Sequence, residues 1–187
     1  MKTVVIALGG NALQSKDRGI TAEDQLEIVK NTVKSIVEIY KSGYRIAIVH
    51  GNGPQVGRIL LAGETAKNIT PAMPFDVCGA MSEGYIGYHI QQTLSSAFRA
   101  AGITTPVATV VTQMTVDADD PAFLNPTKPI GPFYSEQEAR VLADEKGYTV
   151  KEDAGRGWRR VVASPKPRRI VEMDAIRTLS ESAVVIS

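Results

Sequence analysis

Thr3-Val4-Val5-Ile6-Ala7-Leu8-Gly9-Gly10-Asn11 is the stretch on which the reading of this sequence turns. Its first six residues are nearly all apolar and partly β-branched, the pattern of a strand buried on both faces of a parallel sheet. That run is too short for the hydrophobic part of a secretion signal, about 7–15 residues, and the glycines close it as a tight loop. Thr21 then caps a helix, with Asp24 three residues on as the partner in a capping box. Leu26, Val29, Val33, Ile36, Val37 and Tyr40 recur on one helical face, and Gly43 ends the helix. Arg45-Ile-Ala-Ile-Val-His50 reads as a second buried strand, so the chain opens β-loop-α-β.

The same alternation continues. Gly51-Asn52-Gly53-Pro54 leads into a helix from Pro54 to about Lys67, with Pro54 suited to its first position. A long helix is expected over Cys78–Ala101, ended by Gly102, and a third buried strand over Val107–Thr112. Strands alternating with helices predict an α/β fold with a mostly parallel, open sheet and helices on both faces. Between 117 and 132 the texture changes, with prolines at 121, 126, 129 and 132. Ser135 and Glu138 form a capping box for a helix to Lys146, and a hairpin turns through Gly155-Arg156-Gly157. Residues 117–167 are therefore read as a small protruding α+β subdomain, and 1–116 with 168–187 as the core. A short helix near Ile176 and Leu179 precedes a last strand, Ala183–Ser187.

Composition excludes several classes of protein. Twenty-one Lys plus Arg against twenty Asp plus Glu leave a net charge of +1 over 187 residues. Apolar residues reach 43%, which excludes a disordered chain, and the balanced charge argues against a nucleic-acid partner. Cys78 is the single cysteine, so there is no internal disulfide and no cysteine-ligated metal cluster. No apolar run approaches the roughly 20 residues of a membrane span. A soluble protein of a reducing compartment, with no membrane partner, is the expectation.

Two glycine turns carry the chemistry. Gly9-Gly10-Asn11 follows the first strand and Gly51-Asn52-Gly53 the second. Glycine lets a ligand approach the backbone, helix N-termini favour anions, and open α/β sheets bind ligands at the carboxyl ends of their strands. Asn11 and Asn52 add amide donors, so the pair predicts an anion site. Neither turn is a P-loop or a dinucleotide fingerprint, and no zinc or serine-nucleophile motif occurs. Lys128 lies in Asn125-Pro-Thr-Lys-Pro-Ile-Gly-Pro132, where prolines stiffen the loop; a fixed point charge there suits a phosphoryl group, while a solvated surface lysine is the plain alternative. Arg156, Arg159, Arg160, Lys166, Arg168 and Arg169 form either a phosphate-facing patch or a solvated hairpin. His50 is either a general base or a histidine that bonds the turn, and Cys78 lacks a basic neighbour that would activate it. Gly84, Gly87, Tyr85 and Tyr88 suit an oligomer contact or internal packing equally.

Together these motifs resemble the carbamate kinases, of the amino-acid kinase superfamily. The matching stretches are Val5–Leu13, Val49–Gly57, Pro74–Tyr85, Asp120–Tyr134 and Gly157–Pro165, with Gly-Asn-Gly-Pro-Gln and Asn-Pro-Thr-Lys-Pro-Ile-Gly the most specific. The resemblance implies a three-layer αβα sandwich and a cytoplasmic homodimer. It implies reversible phosphoryl transfer between ATP and carbamate, run toward ATP from carbamoyl phosphate in arginine catabolism, with Mg²⁺ accompanying ATP/ADP. By the same resemblance Gly9, Gly10, Asn11, Gly51, Asn52 and Gly53 line the carbamate and phosphoryl site. Lys128, Asn11 and Gly10 take the catalytic roles, and no metal ligand is assigned. The family's nucleotide-binding half has no counterpart here, so the isolated chain is expected to have little activity. The alternative is a non-catalytic module that binds carbamoyl phosphate or another anion, or that serves dimerisation.

Overall fold

The computed structural model describes residues 1–13 and 21–187. In chain order the elements are β1 (Thr3–Leu8), α1 (Gly10–Leu13), α2 (Ala22–Lys41), β2 (Arg45–His50), α3 (Gly53–Ala66), α4 (Phe75–Ala100), β3 (Val107–Thr109) and β4 (Met114–Val116). After a 3-10 turn at Pro121–Phe123 come β5 (Lys128–Tyr134), α5 (Glu136–Lys146), β6 (Val150–Glu152), β7 (Trp158–Val162), β8 (Pro167–Ile170), α6 (Met173–Leu179) and β9 (Val184–Ile186). They gather into two compact units, one of Met1–Asn52, Gly79–Gln113 and Val171–Ser187, the other of Gly53–Cys78 and Met114–Ile170.

The first unit is built on a parallel sheet of order β1-β2-β9-β3. Thr3 pairs with Arg45 and the register runs to Leu8 opposite His50. The expected start of α2 is present: Asp24 N–H donates to Thr21 Oγ1 at 3.2 Å and Thr21 Oγ1 donates to Asp24 Oδ2 at 2.8 Å. From α2, Val29, Val33, Ile36 and Val37 are buried; from α4, Ile86, Ile90, Leu94 and Phe98 repeat every fourth residue. They close one core with Leu8, Ile46, Ile48, Val184 and Ile186 of the sheet. Each such side chain contributes roughly 1.5–3 kcal/mol relative to exposure. Tyr40 completes this core by stacking on Phe98, ring centroids 4.8 Å apart, while its hydroxyl meets Thr105 Oγ1.

The strands are not buried on both faces as their composition suggests. Val5 is 64% exposed and Val49 37%. The pleat sends these two away from Ile48 and Leu8, and α2 and α4 both bury their apolar residues on the Ile48 side. Other boundaries moved too. The helix expected from Cys78 begins at Phe75, and the strand expected to reach Thr112 ends at Thr109. A four-residue helix, α1, stands where a loop was expected after Gly9.

The second unit pairs β5-β7-β6 in one antiparallel sheet and β4 with β8 in another. Helix α3 lies on β5, closest where Gly57 meets Gly131; a Cβ on Gly57 would sit 3.9 Å from the Gly131 backbone. This contact is why Gly53–Cys78 groups with the second unit, although the sequence reading put those residues in the core. Helix α5 has the expected capping box, Ser135 N–H to Glu138 Oε2 at 2.8 Å, and ends on Gly147 in the left-handed conformation. Glu64 of α3 accepts from Lys67 at 2.8 Å and bonds Lys146 of α5. Both lysines hold its carboxyl below the usual range, Lys146 the more strongly.

Candidate active site

The two glycine turns leave the sheet side by side. β1 and β2 are parallel neighbours with Leu8 opposite His50, so both turns begin at the same carboxyl edge. Gly51 N–H donates to Leu8 O at 3.2 Å, and His50 N–H donates to Ser187 O at 3.1 Å just past β9. Gly9 accepts the first bond of α1, from Ala12 N–H at 3.0 Å. Ideal Cβ atoms on Gly9, Gly51 and Gly53 would each meet none of the described residues within 4 Å. None of the three has the positive φ that demands glycine. The fold therefore does not require glycine there; open space in front of backbone amides does suit an approaching ligand. Gly10 and Asn11 open α1, and the donor role expected of Asn11 lies outside what is described.

Asn52 is half-buried and its side chain is already tied down. Its Nδ2 donates to Ser82 Oγ at 2.8 Å, and Ser82 Oγ donates in turn to Gly79 O at 2.6 Å. Ser82 is wholly buried. Beside it on α4, Glu83 Oε2 accepts from Thr112 N–H at 2.9 Å and from Thr112 Oγ1 at 3.4 Å, which anchors the segment after β3. These residues were missed in the sequence. Thirty positions separate Asn52 from Ser82, and no local pattern links them.

His50 holds the turn: its Nδ1 lies 3.2 Å from Gly51 O, and its buried Nε2 has no partner among the described residues. Burial pushes the imidazole below its usual pKa, against weaker opposing effects of the Gly51 carbonyl and Glu83. Cys78 is buried, its Sγ 3.5 Å from Met73 O. Burial, with Asp76 second, raises the thiol, the opposite of an activated nucleophile.

Lys128 is exposed and is the first residue of β5, paired with Val162 of β7, rather than part of a loop. Among the described residues its ammonium has no hydrogen-bond or ion-pair partner. The basic cluster behaves differently. Asp153 accepts from Arg156 at 3.0 Å and from Arg159 at 3.1 Å, and these pairings, Arg159 first, lower its carboxyl. Arg159 also donates to Gly131 O at 3.0 Å, and both arginines lie 5.1 Å from the Phe133 ring centre. Arg160 stacks 3.8 Å from the Tyr148 ring centre, and Arg168 pairs with Asp117 at 3.2 Å. Most of this cluster is engaged inside its own unit, which favours the hairpin reading over a phosphate patch.

A parallel α/β sheet with paired glycine turns at its carboxyl edge defines the class. The sequence profile of the amino acid kinase family matches residues 2–186, and the chain belongs to that family. Within it, the sequence is 56% identical over 186 residues to a carbamate kinase of Pyrococcus horikoshii and 53% to that of Clostridium perfringens. Each alignment covers 98% of this chain and 59% of the relative. The Giardia lamblia carbamate kinase bound to AMP-PNP superposes with a TM-score of 0.90 at 47% identity, over 99% of this chain and 59% of that one. The chain thus spans about three-fifths of the relatives it matches.

Proposed function

We propose that this chain carries the carbamate and phosphoryl site of a carbamate kinase. The observation that carries the reading is the pair of hydrogen-bonded glycine turns at one sheet edge, with no described residue packed where the Cβ atoms of Gly9, Gly51 and Gly53 would be. The turns of Gly9, Gly10, Gly51 and Gly53, with Asn11 and Asn52, line the site for the small anion; the Gly51 N–H, which donates to Leu8 O, holds the turn and is not itself a donor to the ligand. Lys128, which has no hydrogen-bond or ion-pair partner among the described residues, serves as the electrostatic stabiliser. In the ATP-forming direction the bond between phosphorus and the carbamate oxygen breaks, and one forms to a terminal oxygen of ADP. Both oxygens are already deprotonated, so no proton changes hands and no acid/base pair is needed. Positioning and neutralisation of charge are the catalytic work.

Among the described residues no group of three or more His, Cys, Asp or Glu side chains converges to hold a metal. Mg²⁺ would accompany ATP or ADP. Because the chain spans 59% of its relatives, we expect the 187 residues alone to form little ATP. Carbamoyl phosphate should still bind, and calorimetry without nucleotide tests this. Binding that Lys128→Ala weakens supports the site. No binding by the parent chain overturns it, and robust ATP formation overturns the expected inactivity. Binding without turnover by the chain joined to a relative's remaining length favours the non-catalytic reading. We expect the protein to act in the cytosol and in arginine catabolism; cell fractionation checks the first and growth on arginine without the gene the second. A homodimer through α4 fits Tyr88, 61% exposed beside a shallow groove with Gly84 and Val111, and a monomeric mass by light scattering overturns it.

A further inference from the structure

We propose that Ser82 is a positioning residue that fixes which end of the Asn52 carboxamide faces the substrate turn. The two ends of a carboxamide are nearly alike in shape, and only its hydrogen bonds choose between them. Ser82 makes that choice by arithmetic. Its hydroxyl has one hydrogen, committed to Gly79 O at 2.6 Å, so toward Asn52 it can only accept. The amide nitrogen is the end that donates, and it does so at 2.8 Å. Ser82 is wholly buried, so no bulk water competes for this contact. With Nδ2 held on Ser82, the second Nδ2 hydrogen and Oδ1 are held in fixed places on the turn, next to Gly51, whose own N–H is taken by Leu8 O. Reversal would put Oδ1 against the Ser82 oxygen with no hydrogen between them, a repulsive contact in a dry site. The inference rests on the reading of this turn as an anion site, where a wandering amide would offer oxygen to oxygen part of the time.

Nitrogen-15 spectra of the 187-residue chain test the fixing directly. The Asn52 side-chain pair, identified by its loss in Asn52→Ala, should be slow to exchange with water in the parent. In Ser82→Ala it should move to the position and rapid exchange of a free asparagine, while backbone signals away from the turn stay put. Ser82→Thr, which keeps the hydroxyl, should retain the parent signature. Calorimetry with carbamoyl phosphate then reads the consequence. Ser82→Ala should weaken binding about three- to tenfold, the worth of one hydrogen bond, and should weaken it no further in an Asn52→Ala background. An Asn52 signal unmoved by Ser82→Ala overturns the proposal, as does equal weakening in both backgrounds. A parent chain that does not bind carbamoyl phosphate overturns the anion-site reading and the ligand half of this inference. The amide signal alone still decides whether Ser82 fixes Asn52.

Discussion

At the scale of single residues, two glycines with opposite environments separate fold from function. Gly87 is demanded by packing: a Cβ there would overlap the Thr109 side chain, so α4 can lie close on β3 only without one. Gly51 is not, since its Cβ would meet none of the described residues within 4 Å. Gly87→Ala should therefore cost about 1–3 kcal/mol in denaturant unfolding, the usual range for overpacking. Gly51→Ala should leave unfolding within about 0.5 kcal/mol of the parent and weaken carbamoyl phosphate binding at least severalfold. If Gly51→Ala unfolds the chain and spares binding, the turn is structural. Much of this was legible in the sequence, because Gly9-Gly10-Asn11 and Gly51-Asn52-Gly53 each follow an apolar strand. The supporting contacts were not: what holds Asn52 is a serine on a helix whose nearest common element is the folded core.

At the scale of elements, local chemistry was read well and pairing was not. Both capping boxes, at Thr21 with Asp24 and at Ser135 with Glu138, stand where the sequence put them, because a cap needs only residues three positions apart. Lys128 shows the limit. Prolines at 126, 129 and 132 read as a stiff loop, yet Lys128–Tyr134 is a strand. The strand tolerates them because it lies at the edge of β5-β7-β6 and its register slips between Ile130 and Tyr134. Whether a proline-rich run is loop or edge strand depends on a partner thirty residues away, which no local pattern reveals. The cap offers a test at this scale. Ser135→Ala removes the hydroxyl that accepts from Glu138 N–H and donates to its carboxylate. It should cost about 1 kcal/mol in chemical denaturation, and Ser135→Thr should restore most of that loss.

At the scale of the whole chain, the near-neutral net charge conceals a charge split that is settled locally. The acidic and basic stretches meet at Asp117, which pairs with Arg168, and Asp120 accepts from the backbone N–H of Lys166 at 2.9 Å. Perturbed groups then set how stability changes with pH. Both histidines, His50 and His89, are lowered by burial from an ordinary value near 6.5. Below that pH the unfolded chain takes up protons that the folded one refuses, so stability falls as pH drops through 6.5. Glu64, Asp120, Glu138, Asp153 and Glu172 are also lowered, each by hydrogen bonds to its carboxylate, and their contribution is lost in a second, more acidic step. Above neutrality the sign reverses. Cys78 and Tyr134 are raised by burial from 9.0 and 10.0, so the unfolded chain loses its protons first and stability falls again. Thermal unfolding across pH should show a plateau between about 6.5 and 9, flanked by losses on both sides. His50→Gln, a neutral side chain of similar reach, should shrink the first acid step to the share of His89 and leave the more acidic one in place. A wild-type curve flat from pH 7 to 5, or a first acid step untouched in His50→Gln, would show that the folded chain protonates His50 freely, contrary to its buried Nε2, which has no partner among the described residues.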